Sequence, residues 1–181
     1  CFGRCQNSID DVLIDAAARK DGRSRYQEDM DKVDLYLSLG SNQGDRAGNI
    51  EKALSLLNIE LGIPYTKVSS FIETEPWGFD SDEKFINAAV LYELPLKEGY
   101  NAEAEGLAIL EICKDIERKL GREGYPQYDS KGNRIYTSRP IDIDILLLGE
   151  SRIDCEELTV PHKLMWERDF VMIPLNEIRN K

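Results

Sequence analysis

Two aspartates spaced two apart in an apolar run are the sharpest chemical feature of this sequence. The run reads Arg139-Pro140-Ile141-Asp142-Ile143-Asp144-Ile145-Leu146-Leu147-Leu148. Side chains alternate along a strand, so Ile141, Ile143 and Ile145 point one way and Asp142 and Asp144 the other. The two carboxylates then share a face, with Cα atoms about 6.6 Å apart. Like charges beside an apolar strand repel and lose hydration unless something positive lies between them. Mg²⁺ meets that need, because it takes oxygen ligands and often binds through one or two carboxylates plus substrate phosphates. The alternative is a solvated edge strand whose aspartates do no chemistry.

Three further clusters could act with this pair. A long polar connection runs from Gly121 to Arg139, with Arg122 and Arg139 at its ends and Lys131 and Arg134 inside. Connections beyond about 12–15 residues in a compact domain are usually functional lids or disordered. Arginine suits phosphate, since its guanidinium fork bonds two oxygens at once. Next comes Thr74-Glu75-Pro76-Trp77-Gly78, followed by Phe85-Ile86-Asn87. Phe85 and Asn87 share a strand face. An aromatic ring beside an amide suits a flat heterocycle, which stacks on one and pairs with the other; core packing is the alternative for these aromatics. Last, His162, the sole histidine, stands with Lys163 and Arg168; a structural histidine is equally open. Gly40-Ser41-Asn42-Gln43-Gly44-Asp45 lacks the Gly-Lys-Ser/Thr ending of a phosphate loop and reads as a strand-to-helix turn.

The elements that must position these residues follow from periodicity. Val33, Leu35, Leu37 and Leu39 alternate with polar residues, a strand signal. From Asn49, Ile50, Ala53, Leu54, Leu57 and Leu61 form a helical stripe that Gly62-Ile63-Pro64 stops. Thr66 to Ile72 is β-branched and reads as a second strand, Phe85 to Tyr92 as a third. A helix is expected from about Asn101 to Leu120, with Gly121 as its C-cap. Ile141 to Leu148 is the fourth strand. The order β-α-β-β-α-β predicts an α+β, ferredoxin-like sandwich: an antiparallel sheet with helices packed on it. C-terminal additions are expected as a short strand near Arg152–Asp154 and helical turns near Met165 and Asn176. Residues 1–32 read as an extension outside the domain of residues 33–181, with a short amphipathic helix on Ile9, Val12, Leu13 and Ala16.

Composition narrows the function classes. The chain has 181 residues and a formal net charge of -11, so a nucleic-acid or anionic-membrane partner is not expected. No apolar run approaches the ~20 residues of a membrane span. No charged start followed by an apolar stretch suggests secretion, so a cytoplasmic protein is expected. Cys1, Cys5, Cys113 and Cys155 match no zinc spacing and read as free thiols, with a redox role for the first two as the alternative.

Taken together, the segments resemble the 6-hydroxymethyl-7,8-dihydropterin pyrophosphokinase family of folate synthesis. The matching pieces, in order, begin with Leu39-Gly40-Ser41-Asn42, Val68-Ser69-Ser70, Thr74-x-Pro76-x-Gly78 and Phe85-Ile86-Asn87-Ala88. Ile116-Glu117 with Leu120-Gly121-Arg122 comes next, then Arg139-x-Ile141-Asp142-Ile143-Asp144-Ile145. Leu158-x-Val160-Pro161-His162, Glu167-Arg168-x-Phe170-Val171 and Pro174-Leu175 close the set. Any one piece is common; the ordered set is specific.

The resemblance implies transfer of pyrophosphate from ATP to the pterin hydroxymethyl group, giving AMP. It implies two Mg²⁺ ions bound with ATP on Asp142 and Asp144, with Arg122 and Arg139 as catalytic arginines. It places Lys114, Glu117, Arg139, Ile145, Thr159, His162, Lys163 and Arg168 around ATP. Thr74, Glu75, Trp77, Phe85, Asn87 and Phe170 would surround the pterin, with Phe85 and Phe170 on either side of its ring. Dihydroneopterin aldolase and dihydropteroate synthase would be functional neighbours, and a monomer is compatible with this reading. Lys114 stands where members often carry Gln, and Tyr136-Thr137-Ser138 where many carry Trp-Gly-Pro. The rival from another class is a non-catalytic ferredoxin-like ligand-binding module.

Overall fold

A computed structural model describes residues 32–78, 82–122, 127–128, 134–135 and 137–179, with 127–128 and 134–135 as backbone only. The helix expected on Ile9–Ala16, and the side chains of Lys131 and Arg134, lie outside the described residues. The alternating segment forms β1 (Lys32–Ser41). Asp45 caps α1 (Arg46–Leu61), its Oδ1 accepting from the Gly48 N–H at 3.1 Å. The helix thus starts three residues before Asn49, because the cap is Asp45. Phe85–Pro95 forms β4, Ala102–Lys119 forms α2 with Asn101 as N-cap, and Asp142–Leu148 forms β7.

The expected second strand is two short pieces, β2 (Lys67–Val68) and β3 (Ile72–Thr74), both antiparallel to β4. Ser69 interrupts it. Its hydroxyl accepts from the Ala89 N–H at 2.9 Å and donates to Ser70 O at 2.9 Å, taking up groups a continuous ladder would use. The long connection holds a small ladder, β5 (Gln127–Tyr128) with β6 (Arg134–Ile135). After β7, β8 (Ile153–Asp154) pairs with β9 (Thr159–Val160). A 3₁₀ turn at Met165–Glu167 leads into α3, Asp169–Arg179. The molecule is α+β, with the sheet order β2-β4-β1-β7 and every pairing antiparallel.

Alternation sends the two sides of each strand to different cores. Leu35, Leu37 and Leu39 of β1, Ala88, Val90 and Tyr92 of β4, and Ile143 and Ile145 of β7 pack with Ile50, Leu57, Ile109 and Ile116 of the two long helices. On the opposite face, Ala89, Leu91 and Leu146 pack with Met165, Val171, Leu175 and Ile178. The C-terminal helix α3 therefore builds a second, smaller core. It covers only part of that face, and the uncovered part is where Asp142, Asp144 and Asn87 stand.

Candidate active site

Strand register sets the floor of the site. Gly40 at the end of β1 pairs with Asn87 on one side and Asp142 on the other. One step along, Ser38 pairs with Ala89 and Asp144. Neighbouring strands lie about 4.8 Å apart, so Asn87 and Asp142 stand about 10 Å apart across a glycine. A Cβ at Gly40 would come within 2.9 Å of Asn87 Oδ1 and 3.6 Å of the Phe85 ring. The missing side chain keeps the floor low between an amide and a carboxylate. An open cleft of about 510 Å³ lies over this floor. Its walls bring together Thr74, Glu75, Trp77, Phe85, Asn87, Arg139, Asp142, Asp144, Arg168 and Phe170, all expected from sequence.

One end of the cleft is charged. Asp142 is gripped by two guanidinium groups: Arg122 reaches its Oδ1 at 2.6 Å and Arg139 its Oδ2 at 2.8 Å. Arg122 also bonds Glu117, whose Oε1 accepts from the Ile143 N–H at 2.7 Å. The C-terminal turn of α2 delivers both groups. Glu117 lies in the last helical turns, and Gly121, at φ +90°, swings the chain so that Arg122 folds back towards β7. Burial, the largest cause, and the negative charge of Asp142 push the Glu117 carboxyl up to about 7, while Arg122 and the Ile143 N–H pull it down. For Arg122 burial acts to lower the pKa, yet the two carboxylates outweigh it and the guanidinium is held more firmly charged.

The other end is flat and aromatic. Asn87 is 3% exposed and donates from Nδ2 to Thr74 Oγ1 at 2.8 Å, which leaves its amide oriented by β3. Trp77 is 40% exposed. The Arg168 guanidinium lies 4.4 Å from the Trp77 ring centroid and 5.7 Å from that of Phe170, a cation–π arrangement. Arg168, expected beside the nucleotide, is thus placed with the aromatic cluster.

The other expected residues lie around rather than in the cleft. Lys114 is on the exposed side of α2, ion-paired with Glu111 at 2.8 Å. The Ile145 side chain is buried in the core on the helical face. Thr159 is on β9, and Lys163 lies 3.7 Å from Asp154. The His162 N–H donates to Leu146 O at 3.1 Å, which ties its segment to β7, and its Nδ1 accepts from the Leu164 N–H at 3.3 Å. The sequence places neither Ser38 nor Gly40 in the site and reads Gly40 as the start of a turn, yet both stand in β1 and line the cleft. Their signal was present: they occupy the polar phase of the strand whose apolar phase is Leu35, Leu37 and Leu39.

Fold and cleft together define an α+β domain that sets acidic and basic side chains next to a cluster of aromatic ones. A family model described as 7,8-dihydro-6-hydroxymethylpterin-pyrophosphokinase matches residues 36–180. A 2-amino-4-hydroxy-6-hydroxymethyldihydropteridine pyrophosphokinase of Porphyromonas gingivalis is 43% identical over 145 residues, 80% of this chain and 89% of that protein. The protein of the same name from Bacillus subtilis is 38% identical over 143 residues, 79% of this chain and 76% of its own length. A folate synthesis bifunctional protein of Arabidopsis thaliana is 36% identical over 145 residues, which are 80% of this chain and 27% of that longer protein. The chain belongs to the 7,8-dihydro-6-hydroxymethylpterin-pyrophosphokinase family.

Proposed function

We propose that this protein transfers the terminal diphosphate of ATP to the hydroxymethyl oxygen of 6-hydroxymethyl-7,8-dihydropterin. One observation carries the reading: a single cleft holds the Asp142–Asp144 pair and Arg139 at one end and Phe85, Asn87, Trp77 and Phe170 at the other. The hydroxyl oxygen attacks the β-phosphorus, the bond from that phosphorus to the α-phosphate oxygen breaks, and AMP leaves. The hydroxyl proton goes to solvent. Asn87 and the aromatic rings orient the pterin, and Arg122 and Arg139 meet the charge that builds on the phosphates.

Mg²⁺ fits the donor set. Among the described residues no group of three or more His, Cys, Asp and Glu is assembled to hold an ion. Asp142 and Asp144 would supply two carboxylate ligands, and the remaining oxygens would come from the nucleotide and water, the usual division for this ion. Two ions are expected with ATP. When bound they would supply charge neutralisation to the phosphates.

The sheet order and the two long helices on one face support reading the fold as a ferredoxin-like βαββαβ arrangement with C-terminal additions. The family match supports a catalytic domain of residues 33–181. Among the described residues no helix is long and apolar enough to cross a membrane. Separation of nucleotide products from labelled ATP and the reduced pterin tests the reading. AMP is the expected product; ADP would indicate a simple kinase, and unchanged ATP a binding module.

A further inference from the structure

The turn after β1 has no part in the reaction described so far, yet Asn42 is only 1% exposed and spends its whole amide on distant chain segments. Its Oδ1 accepts from the Arg139 N–H at 2.7 Å. Its Nδ2 donates to Ser138 Oγ at 2.9 Å and towards Glu83 O at 3.5 Å. Its own backbone N–H donates to Arg139 O at 3.2 Å. Both main-chain groups of Arg139 are therefore held by one residue. Arg139 Nε donates in turn to Thr137 O at 3.1 Å, which leaves NH1 aimed at Asp142.

The second attachment leads to the ring end. Glu83 lies just before Lys84 and Phe85, and Arg46 of α1 fixes the same stretch by donating to Lys84 O at 2.7 Å. A shorter hydroxyl could not reach both segments, and a carboxylate would lose the two bonds that Nδ2 donates. Buried amide groups are expensive to leave unsatisfied, so the joint has one favoured geometry.

We propose that Asn42 is a positioning residue for the transfer: it fixes the backbone of Arg139 so that the guanidinium stands at the phosphate end of the cleft. It also ties that segment to the one leading into Phe85. The inference rests on the pyrophosphate-transfer reading, in which Arg139 meets the phosphates. A merely structural turn would lower stability without caring whether Arg139 is present, and this difference can be measured.

The experiment is a double-mutant cycle with Asn42→Ala and Arg139→Ala in the full chain, read as kcat and KM. Small misplacements of a catalytic group can cost up to about 100-fold, so Asn42→Ala is expected to lower kcat by about 10- to 100-fold. The pterin KM should stay within about threefold, the pattern of an interaction made in the transition state. In the Arg139→Ala background the same change should cost less than about threefold, because its target is gone. Equal losses in both backgrounds, or an unchanged kcat, would overturn the proposal. Ser138→Ala covers a folding defect at the buried site: it removes one partner of the clamp, and its smaller loss should also vanish without Arg139. Amide hydrogen exchange gives an activity-free readout. The Arg139 N–H should exchange at least about tenfold faster in Asn42→Ala, with the amides of Leu37 and Ile143 unchanged. Equal Arg139 exchange rates would refute the clamp. A wild type that forms no AMP would defeat the transfer reading alone, while the exchange result would still decide the clamp.

Discussion

Asp142 is held by two guanidinium groups, which separates two consequences of changing it. In the pyrophosphate-transfer reading, Asp142→Asn and Asp144→Asn should each abolish turnover, since each removes charge that the ions need. Repulsion between the two carboxylates, taken alone, would make either change harmless to the fold. The structure alters this for Asp142, whose charge balances Arg122 and Arg139. Asp142→Asn should lower stability by about 1.5–3 kcal/mol, the range for a lost bond to a charged group. Urea unfolding without nucleotide checks it; a midpoint equal to wild type would mean the pairs contribute nothing. Glu117 yields a pH signature. Its folded pKa of about 7 lies above the ordinary 4.5, so the folded chain holds this proton more tightly than the unfolded one. Its contribution to stability is full below the unfolded value and is lost as pH climbs through about 7. Glu117→Gln removes the titration. The stability of wild type relative to Glu117→Gln should therefore fall between about pH 5 and about pH 8, on the order of a few kcal/mol or less. A difference that does not change with pH would show that Glu117 titrates normally.

At the scale of elements, alternation found β1 and β7, a run of strand-forming apolar residues found β4, and the 3.6 period found both long helices. The patterns also placed Asp142 with Asp144, and Phe85 with Asn87, on shared faces. Two things were illegible for physical reasons. The break at Ser69 depends on a hydroxyl bonding across to Ala89, a long-range contact that no local pattern encodes. The covering of the second face depends on α3, whose docking on Ala89, Leu91 and Leu146 is likewise tertiary. The C-terminal turn of α2 carries a further prediction. It holds Arg122 against Asp142 and Glu117, a contact that phosphate oxygens would replace in the pyrophosphate-transfer reading. Groups that act more strongly in the transition state than in the ground state change kcat rather than affinity. Arg122→Ala should thus lower kcat by about 10²–10³, the loss typical of one preorganised donor. Affinity for a non-hydrolysable ATP analogue should change by less than about fivefold. Calorimetry showing the reverse, weak analogue binding with an intact chemical step, would make Arg122 a nucleotide anchor.

For the whole molecule, the formal net charge of -11 works against an anionic substrate, so the arginines of the cleft must act locally. Field from a few positive groups in a low-dielectric cleft falls off slowly inside it and is screened outside within about 8–10 Å at ordinary salt. Among the described residues, those that line the cleft fall between Ser38 and Phe170. Among the described residues, the sheet begins slightly earlier. Lys32 opens β1 opposite Pro95 and pairs with Glu93 at 2.9 Å, one residue before the boundary that the alternating pattern suggested. The exposed pair is worth little by itself, but the strand it begins is the centre of the sheet, flanked by β4 and β7. Removing residues 1–30 while keeping Asp31 and Lys32 should therefore leave kcat and both KM values within about twofold, since every described cleft residue comes after Lys32. The truncated and full chains should also unfold at the same urea midpoint. An insoluble truncation, or one that loses most of its turnover, would show that the first thirty residues belong to the working enzyme.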